Sequence, residues 1–397
     1  MTRISTRIEQ MHESATIKMA QLSRDMRKKG INIIDLSLGE PDFDTPAHII
    51  KAAIEGMHQG YTHYPPVAGF EDLKEAICTK FKRDNGFHFN TNQIVVSTGA
   101  KQSLANLLFS LVNPGDEVLI PAPYWVTYDA QIRMVGAIPK VLSSSIEDDF
   151  KISPAQLEKS ISAKTKIFLF SSPCNPTGSV YSRNELEALA KVFAKYPDIF
   201  IISDEIYEMI NFEGQHESIY QFEWLRDRIA IVNGLSKGFA MTGWRLGYIA
   251  APLDVARACT KMQGQITSGT STISQRAAIG ALLSGYESCK NMCNILLTRR
   301  NLMISELKKI KGLIVNHPKG AFYLFPNVSA YFGKHYKGDT IQDADALSLA
   351  ILKYAHVALV SGSAFGNDYC FRLSYALDQK KIKEAGKRLQ QFFDTLD

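Results

Sequence analysis

The sequence predicts an α/β protein whose main body is a largely parallel sheet wrapped by helices, and three observations carry that expectation. Short β-branched or apolar runs recur along the middle of the chain, each followed by a polar or glycine-containing turn and often by helical periodicity, as in NQIVVSTGAKQSLANLLFSLV, TKIFLFSSPCNPTG, IFIISDEIYE and IAIVNGLSK. The runs are apolar throughout rather than alternating, as strands covered on both faces require. No internal repeat or low-complexity segment interrupts them, so the chain reads as one continuous compact unit.

With 397 residues, 45% hydrophobic and 21% charged, the chain is long enough for one large domain plus a smaller one. Its 45 basic and 40 acidic residues, net +5, are spread without a basic run dense enough to track a phosphate backbone, so nucleic acid is disfavoured as a partner. The opening MTRISTRIEQMHESATIK is polar, and runs such as IFLFSSP and IFIIS fall far short of the ~20 residues that cross a bilayer. A cytoplasmic protein with no membrane partner is expected. The six cysteines are scattered without a CxxC pair, which argues against a zinc site or a disulfide framework. Cys289 and Cys293 can share a helix face, but two thiols without further ligands are read as packing, and no metal is expected.

The large domain is expected over residues 46–290. Residues 271–311 read as helical with few breakers, consistent with helices that leave that domain. GLIVNHPKGAFYLFP and DALSLAILKYAHVALVSGSAFG then suggest a smaller α+β unit over 291–397, joined by an amino-terminal arm over 1–45.

In parallel sheets ligands sit beyond the carboxyl ends of the strands, and that is where the unusual polar residues fall. GLSKGFAMTGWRLGY (234–248) places Lys237 just after IAIVNG, with Ser236 beside it and Arg245 eight residues on. A lone lysine after a strand is usually solvated. Here small neighbours let a planar ligand approach the backbone, and Ser236 and the Arg245 fork can both reach a phosphate dianion. Positive charge nearby and desolvation would also make the amine easier to deprotonate.

ISDEIYE (202–208) puts Asp204 at a strand end with Tyr207 three residues on. This is either a capping aspartate with a packed tyrosine or a buried anion with a hydroxyl donor. In SSPCNPTG (171–178), prolines on both sides of Cys174 and Asn175 rigidify a turn from which Asn175 projects. STGAKQSL (97–104) reads as strand end, Gly99, then helix start, so that the amides of Ala100 and Lys101 can face an anion. Trp125 in PAPYW is either a stacking face or plain core. Arg372 in FRLSYA and Gly39 in SLGEPDFDTP are candidates for a carboxylate site, unless Arg372 is a surface arginine. A buried guanidinium contributes roughly 1.5–3 kcal/mol per charge-assisted contact to a carboxylate. An amine, an anion, amide and hydroxyl donors, a phosphate cradle and an aromatic wall are together the demands that pyridoxal 5'-phosphate makes of a protein.

The ordered set from SATIKMAQL to FRLSYA resembles the class I and II pyridoxal-phosphate-dependent aminotransferases over essentially the whole chain. Within them it is most similar to the bacterial aspartate aminotransferase branch, through the SATxxM start, GEPDFDTP, YPPVAGF and FAMTGWRLGY. The resemblance implies fold type I: a large domain with a mainly parallel seven-stranded sheet between helices, and a smaller α+β domain built from both chain ends. It implies that Lys237 is the catalytic lysine that bonds the cofactor aldehyde and that Asp204 partners the ring nitrogen. Tyr207 and Asn175 would donate to the phenolic oxygen, Trp125 would stack, and Ser236 and Arg245 would hold the phosphate. Tyr64 of YTHYPP would reach the neighbour's phosphate across a homodimer. Gly39 and Arg372 would bind the substrate α-carboxylate, and Lys101 the side-chain carboxylate of aspartate. The stretch 261–275 has no arginine, in keeping with that last role.

The implied reaction is a ping-pong exchange of L-aspartate and 2-oxoglutarate for oxaloacetate and L-glutamate. Other donor ranges stay open, including aromatic amino acids and prephenate; for prephenate, His12 followed by Glu13 departs from the basic residue that similar proteins carry near the amino terminus, which counts against that activity. A lyase or synthase of the same fold type is a further alternative, separated by its lack of need for a 2-oxo acid. A ligand sensor fused to a DNA-binding module is disfavoured, because the sequence opens directly into the aminotransferase-like arm.

Overall fold

The computed structural model describes residues 3–9, 11 and 13–397; His12 lies outside the described residues. Strand β1 is Ile34–Asp35, and the strands that follow are β2 (Ile94–Ser97), β3 (Glu117–Pro121), β4 (Ile138–Leu142) and β5 (Thr165–Ser171). Next come β6 (Phe200–Asp204), β7 (Ile229–Gly234) and β8 (Gly247–Ala250). Strands β2 to β8 form one seven-stranded sheet in the order β2-β8-β7-β6-β5-β3-β4. Only β8 runs antiparallel to its neighbours.

The continuous apolar character of these strands has a direct cause. Successive residues of a strand face opposite sides, and both sides are packed. Ile94, Leu119, Phe168, Ile201 and Ile231 enter one core, while Val95, Val118, Ile167, Ile202 and Val232 enter the other. The helix Arg183–Phe193 shows how the first side is covered. A Ser182/Glu185 capping box starts it, and Leu186, Leu189, Ala190 and Phe193 are buried at helical spacing, with the Phe193 ring 5.1 Å from Phe168.

A third core joins the two chain ends. Ile34 and Leu36 pack with residues between Ile206 and Leu396, and β1 pairs in parallel with β12 (Val357–Ala358). Before β12 stand β9 (Tyr323–Leu324) and the small hairpin β10 (His335–Tyr336) and β11 (Asp339–Thr340). After it, β13 (Val360–Ser361) and β14 (Phe371–Ser374) complete a three-stranded sheet in the order β13-β14-β9.

The helical run expected to leave the large sheet divides in two. The helix Thr272–Leu283 stays with that sheet, burying Ala277, Ala278, Ala281 and Leu282 in the first core. It lies so close to the helix Ala47–His58 that a Cβ on Gly280 would come within 2.7 Å of Ala52, and one on Gly56 within 2.7 Å of Arg276. Only the next helix, Glu287–Leu307, passes from the first core at Cys289 to the third at Leu296, Met303 and Leu307.

Candidate active site

Neighbouring parallel strands β5, β6 and β7 deliver three polar residues to one edge of the sheet. Asn175 follows β5, Asp204 ends β6, and Lys237 follows β7. Such an edge concentrates side chains from residues distant in sequence, because each strand stops there and the chain turns away.

The Lys237 ammonium donates to the carbonyl of Gly39 at 2.5 Å, so the GEPDFDTP segment lies against the amine. Burial lowers the Lys237 pKa to about 8; Glu40 opposes the shift, while Arg372 and Arg245 add to it. Asp204 is 3% exposed. Burial pushes its carboxyl up to about 6, against the Tyr128 hydroxyl, which donates at 2.6 Å, and the Ile206 amide at 3.3 Å. Tyr207 is buried, its hydroxyl 2.8 Å from that of Tyr323.

Arg372 is not a surface arginine. It is 1% exposed on β14 and donates to Asn175 Oδ1 at 3.0 Å and to the Ser37 carbonyl at 2.5 Å. Its guanidinium lies between the rings of Tyr323 and Phe365, 4.7 and 4.9 Å from their centroids. Its Nε is buried without a partner. A fixed guanidinium with an unsatisfied donor is suited to an anionic ligand.

Gly99 takes φ +80° at the start of the helix Ala100–Leu111. A Cβ there would come within 2.5 Å of the Arg245 guanidinium. Glycine therefore leaves a bare backbone cradle at a helix amino terminus, with the Arg245 fork across it. Arg245 itself has φ +56°, an uncommon conformation for a non-glycine residue, and its guanidinium also donates to the Thr242 carbonyl at 2.9 Å. Ser236 is buried beside Lys237. Trp125 is half-buried, edge-on to Tyr128 at 5.7 Å, and the Lys101 ammonium lies 5.0 Å from its ring. Partial desolvation, then Arg245, lower the Lys101 pKa. Tyr64 differs from the rest: it is 94% exposed and makes none of the bonds described for the cluster.

Two residues that sequence reasoning missed hold the site together. Tyr128 lies three residues after Trp125, one helical turn on, and that spacing was a usable signal. Tyr323 gave no such signal, because its contact with Tyr207 spans 116 residues. Behind β6, Glu205, Glu208 and His216 are grouped closely enough to hold a cation. The Lys80 ammonium already serves Glu208 at 2.5 Å.

Comparison with known proteins identifies the family and the fold. The family description "Aminotransferase class I and II" matches residues 31–389. A bifunctional aspartate aminotransferase and glutamate/aspartate-prephenate aminotransferase of Petunia hybrida is 42% identical, over 99% of this chain and 83% of that protein. A probable aspartate/prephenate aminotransferase of Rhizobium leguminosarum is 41% identical, over 99% of each. The crystal structure of the aspartate aminotransferase from Rhizobium meliloti superposes with a TM-score of 0.97 at 36% identity, covering 100% of both chains. That of the Thermus thermophilus enzyme with maleate gives 0.91 at 35% identity, over 98% of this chain and all of the other. The chain belongs to the class I and II aminotransferases.

Proposed function

We propose that the enzyme uses pyridoxal 5'-phosphate to transfer the amino group of L-aspartate to 2-oxoglutarate, giving oxaloacetate and L-glutamate. One observation carries the reading: a half-buried lysine, held at the Gly39 carbonyl and with its pKa lowered to about 8, stands among Asp204, Arg372 and Arg245 at the carboxyl edge of the sheet. The residues fit the cofactor. The Gly99 cradle, the Ala100 and Lys101 amides, Ser236 and Arg245 suit its phosphate. Asp204, only partly compensated by Tyr128, suits a protonated ring nitrogen. Asn175 and Tyr207 offer donors for the phenolic oxygen, and Trp125 an aromatic face. When bound, the cofactor supplies an aldehyde for the amine and a ring that accepts electrons.

The chain's own groups then have separable tasks. Arg372, with Gly39 beside it, holds the α-carboxylate of the amino acid, and Lys101 meets the side-chain carboxylate. Fixing both ends orients the Cα–H bond. Lys237, neutral above about pH 8, takes the Cα proton as a general base and later returns a proton as an acid. Asp204 keeps a positive charge in place next to the reacting centre. Arg276, just beyond the arginine-free stretch, is committed to Asp72 through two bonds of 2.6 Å, so it does not compete with Lys101 for the second carboxylate.

A homodimer is part of this proposal, with Tyr64 serving the neighbour's phosphate. Its support is the exposure of Tyr64 and of an apolar helix face at Ile50, Ile54 and Met57. The proposed location is the cytoplasm, which six free cysteines favour; among the described residues no helix is long and apolar enough to cross a membrane. The proposed division is an arm over 1–45, a cofactor-binding domain over 46–290 and a small domain over 291–397.

A panel of amino donors against 2-oxoglutarate tests the substrate. Lys101→Ala is expected to raise KM for aspartate roughly tenfold or more while changing that for an aromatic amino acid little. Equal effects on both would remove Lys101 from side-chain recognition. Prephenate is a second acceptor to test, because a cleft of about 1440 Å³ lined by Lys101, Arg133, Arg7 and Lys18 adjoins the cluster at Lys101, and two relatives carry prephenate in their names.

A further inference from the structure

Tyr323 is fully buried on β9, next to the strand that carries Arg372. Its hydroxyl lies 2.8 Å from that of Tyr207, and a Cβ on Gly39 would come within 2.7 Å of it. Either hydroxyl can donate in this pair, and the direction matters. A tyrosine has one proton. If Tyr207 donated to Tyr323, it would have none for a ring oxygen.

The surroundings select the direction. The Arg372 guanidinium sits over the Tyr323 ring. Its positive charge acts on both hydroxyls, but at Tyr323 it is the first influence to offset burial. At Tyr207 burial and the neighbouring Tyr323 outweigh it and raise the hydroxyl well above the usual range. Tyr323 is therefore the more acidic of the two and the better donor. Guanidinium accepts nothing, so it offers the Tyr323 proton no alternative to the Tyr207 oxygen. Tyr207 has Asp204 within electrostatic range and the Lys237 ammonium 5.9 Å from its ring centroid.

We propose that Tyr323 is a positioning residue: it donates to Tyr207, directing the single Tyr207 proton to the phenolic oxygen of the bound cofactor and strengthening that bond. Hydrogen bonds in a chain polarise one another, so the outer donor strengthens the inner one. This rests on the proposed use of pyridoxal phosphate, and the test separates the two. The absorbance of the cofactor-loaded protein is titrated with pH for wild type, Tyr323→Phe, Tyr207→Phe and the double variant. The bond from Tyr207 favours the ionised oxygen, so Tyr323→Phe raises the absorbance midpoint by roughly 0.3 pH unit. The Tyr323→Phe change does nothing further once Tyr207 is Phe. An unchanged midpoint, a fall, or an equal shift in the Tyr207→Phe background overturns the role of Tyr323 while leaving the cofactor reading intact. A wild type that takes up no chromophore overturns both. Circular dichroism of each variant checks the fold, and if Tyr323→Phe does not fold, Gly39→Ala, which presses on the same hydroxyl, must shift the midpoint in the same direction.

Discussion

Asp204 and Glu205 are consecutive and both buried, yet the two faces of the sheet treat their carboxyl groups in opposite ways. The pleat turns Asp204 to the face of Ile202, where its side chain has the Tyr128 hydroxyl and the Ile206 amide, and burial still leaves its pKa raised to about 6. On the other side Glu205 accepts from Ser203 at 2.8 Å, from Ser218 at 2.6 Å and from His216 at 3.0 Å. Burial alone would raise the Glu205 pKa, but these partners outweigh it and the pKa is lowered. A carboxylate with its counter-charge built in is structural, whereas one left short of positive charge at a strand end is placed for a ligand that brings it.

The contrast is broken or sharpened by substituting each side. Asp204→Asn should lower kcat/KM about a hundredfold to a thousandfold while leaving the thermal midpoint of the cofactor-free protein unchanged or higher, since a costly buried charge is removed. Steady-state kinetics and calorimetry on the one variant read both. Glu205→Gln should do the reverse, costing about 3 kcal/mol by leaving His216 unpaired and changing kcat/KM less than about fivefold. If the two variants lose activity equally, the two faces do not divide structure from chemistry.

A smaller effect concerns the amine. As pH rises through about 8, Lys237 loses its proton and the nucleophilic form becomes the main one. Cofactor uptake by the cofactor-free protein should accelerate roughly tenfold between about pH 7 and pH 9 and then level. A rate still climbing toward the ordinary lysine value near 10.4 would mean the amine is not desolvated.

The smallest effect is the pH dependence of the back-face pair. Burial would lower the His216 pKa, but Glu205 more than offsets this and raises it. A raised histidine pKa stabilises the fold fully below the unfolded value of about 6.5 and ceases to do so as pH rises through the folded value. The stability difference between wild type and Glu205→Gln should therefore shrink as pH rises above the ordinary histidine value of about 6.5, as measured by urea unfolding.

Much of the site was legible because strand ends are local features. Lys237, Asp204 and Asn175 each follow an apolar run, and parallel pairing brings such ends together without further information. Gly99 was legible for the same reason, as a glycine between strand and helix. Tyr323 was not, since its meaning lies in a contact made 116 residues away, and the Glu205 partners His216 and Ser218 were not, since they sit on an irregular segment whose return to the strand end no periodicity reports. The continuity of helix-forming residues through 271–311 also concealed a break, because what holds the helix Thr272–Leu283 to the sheet is close approach at Gly56 and Gly280, which periodicity does not report.

The central claim is that one amine, Lys237, carries the cofactor. Protein loaded with pyridoxal phosphate, reduced with borohydride and digested, should give a single pyridoxyl-labelled peptide, with the label on Lys237, and Lys237→Ala should give none. Label on another lysine, or no label on wild type, would contradict the account.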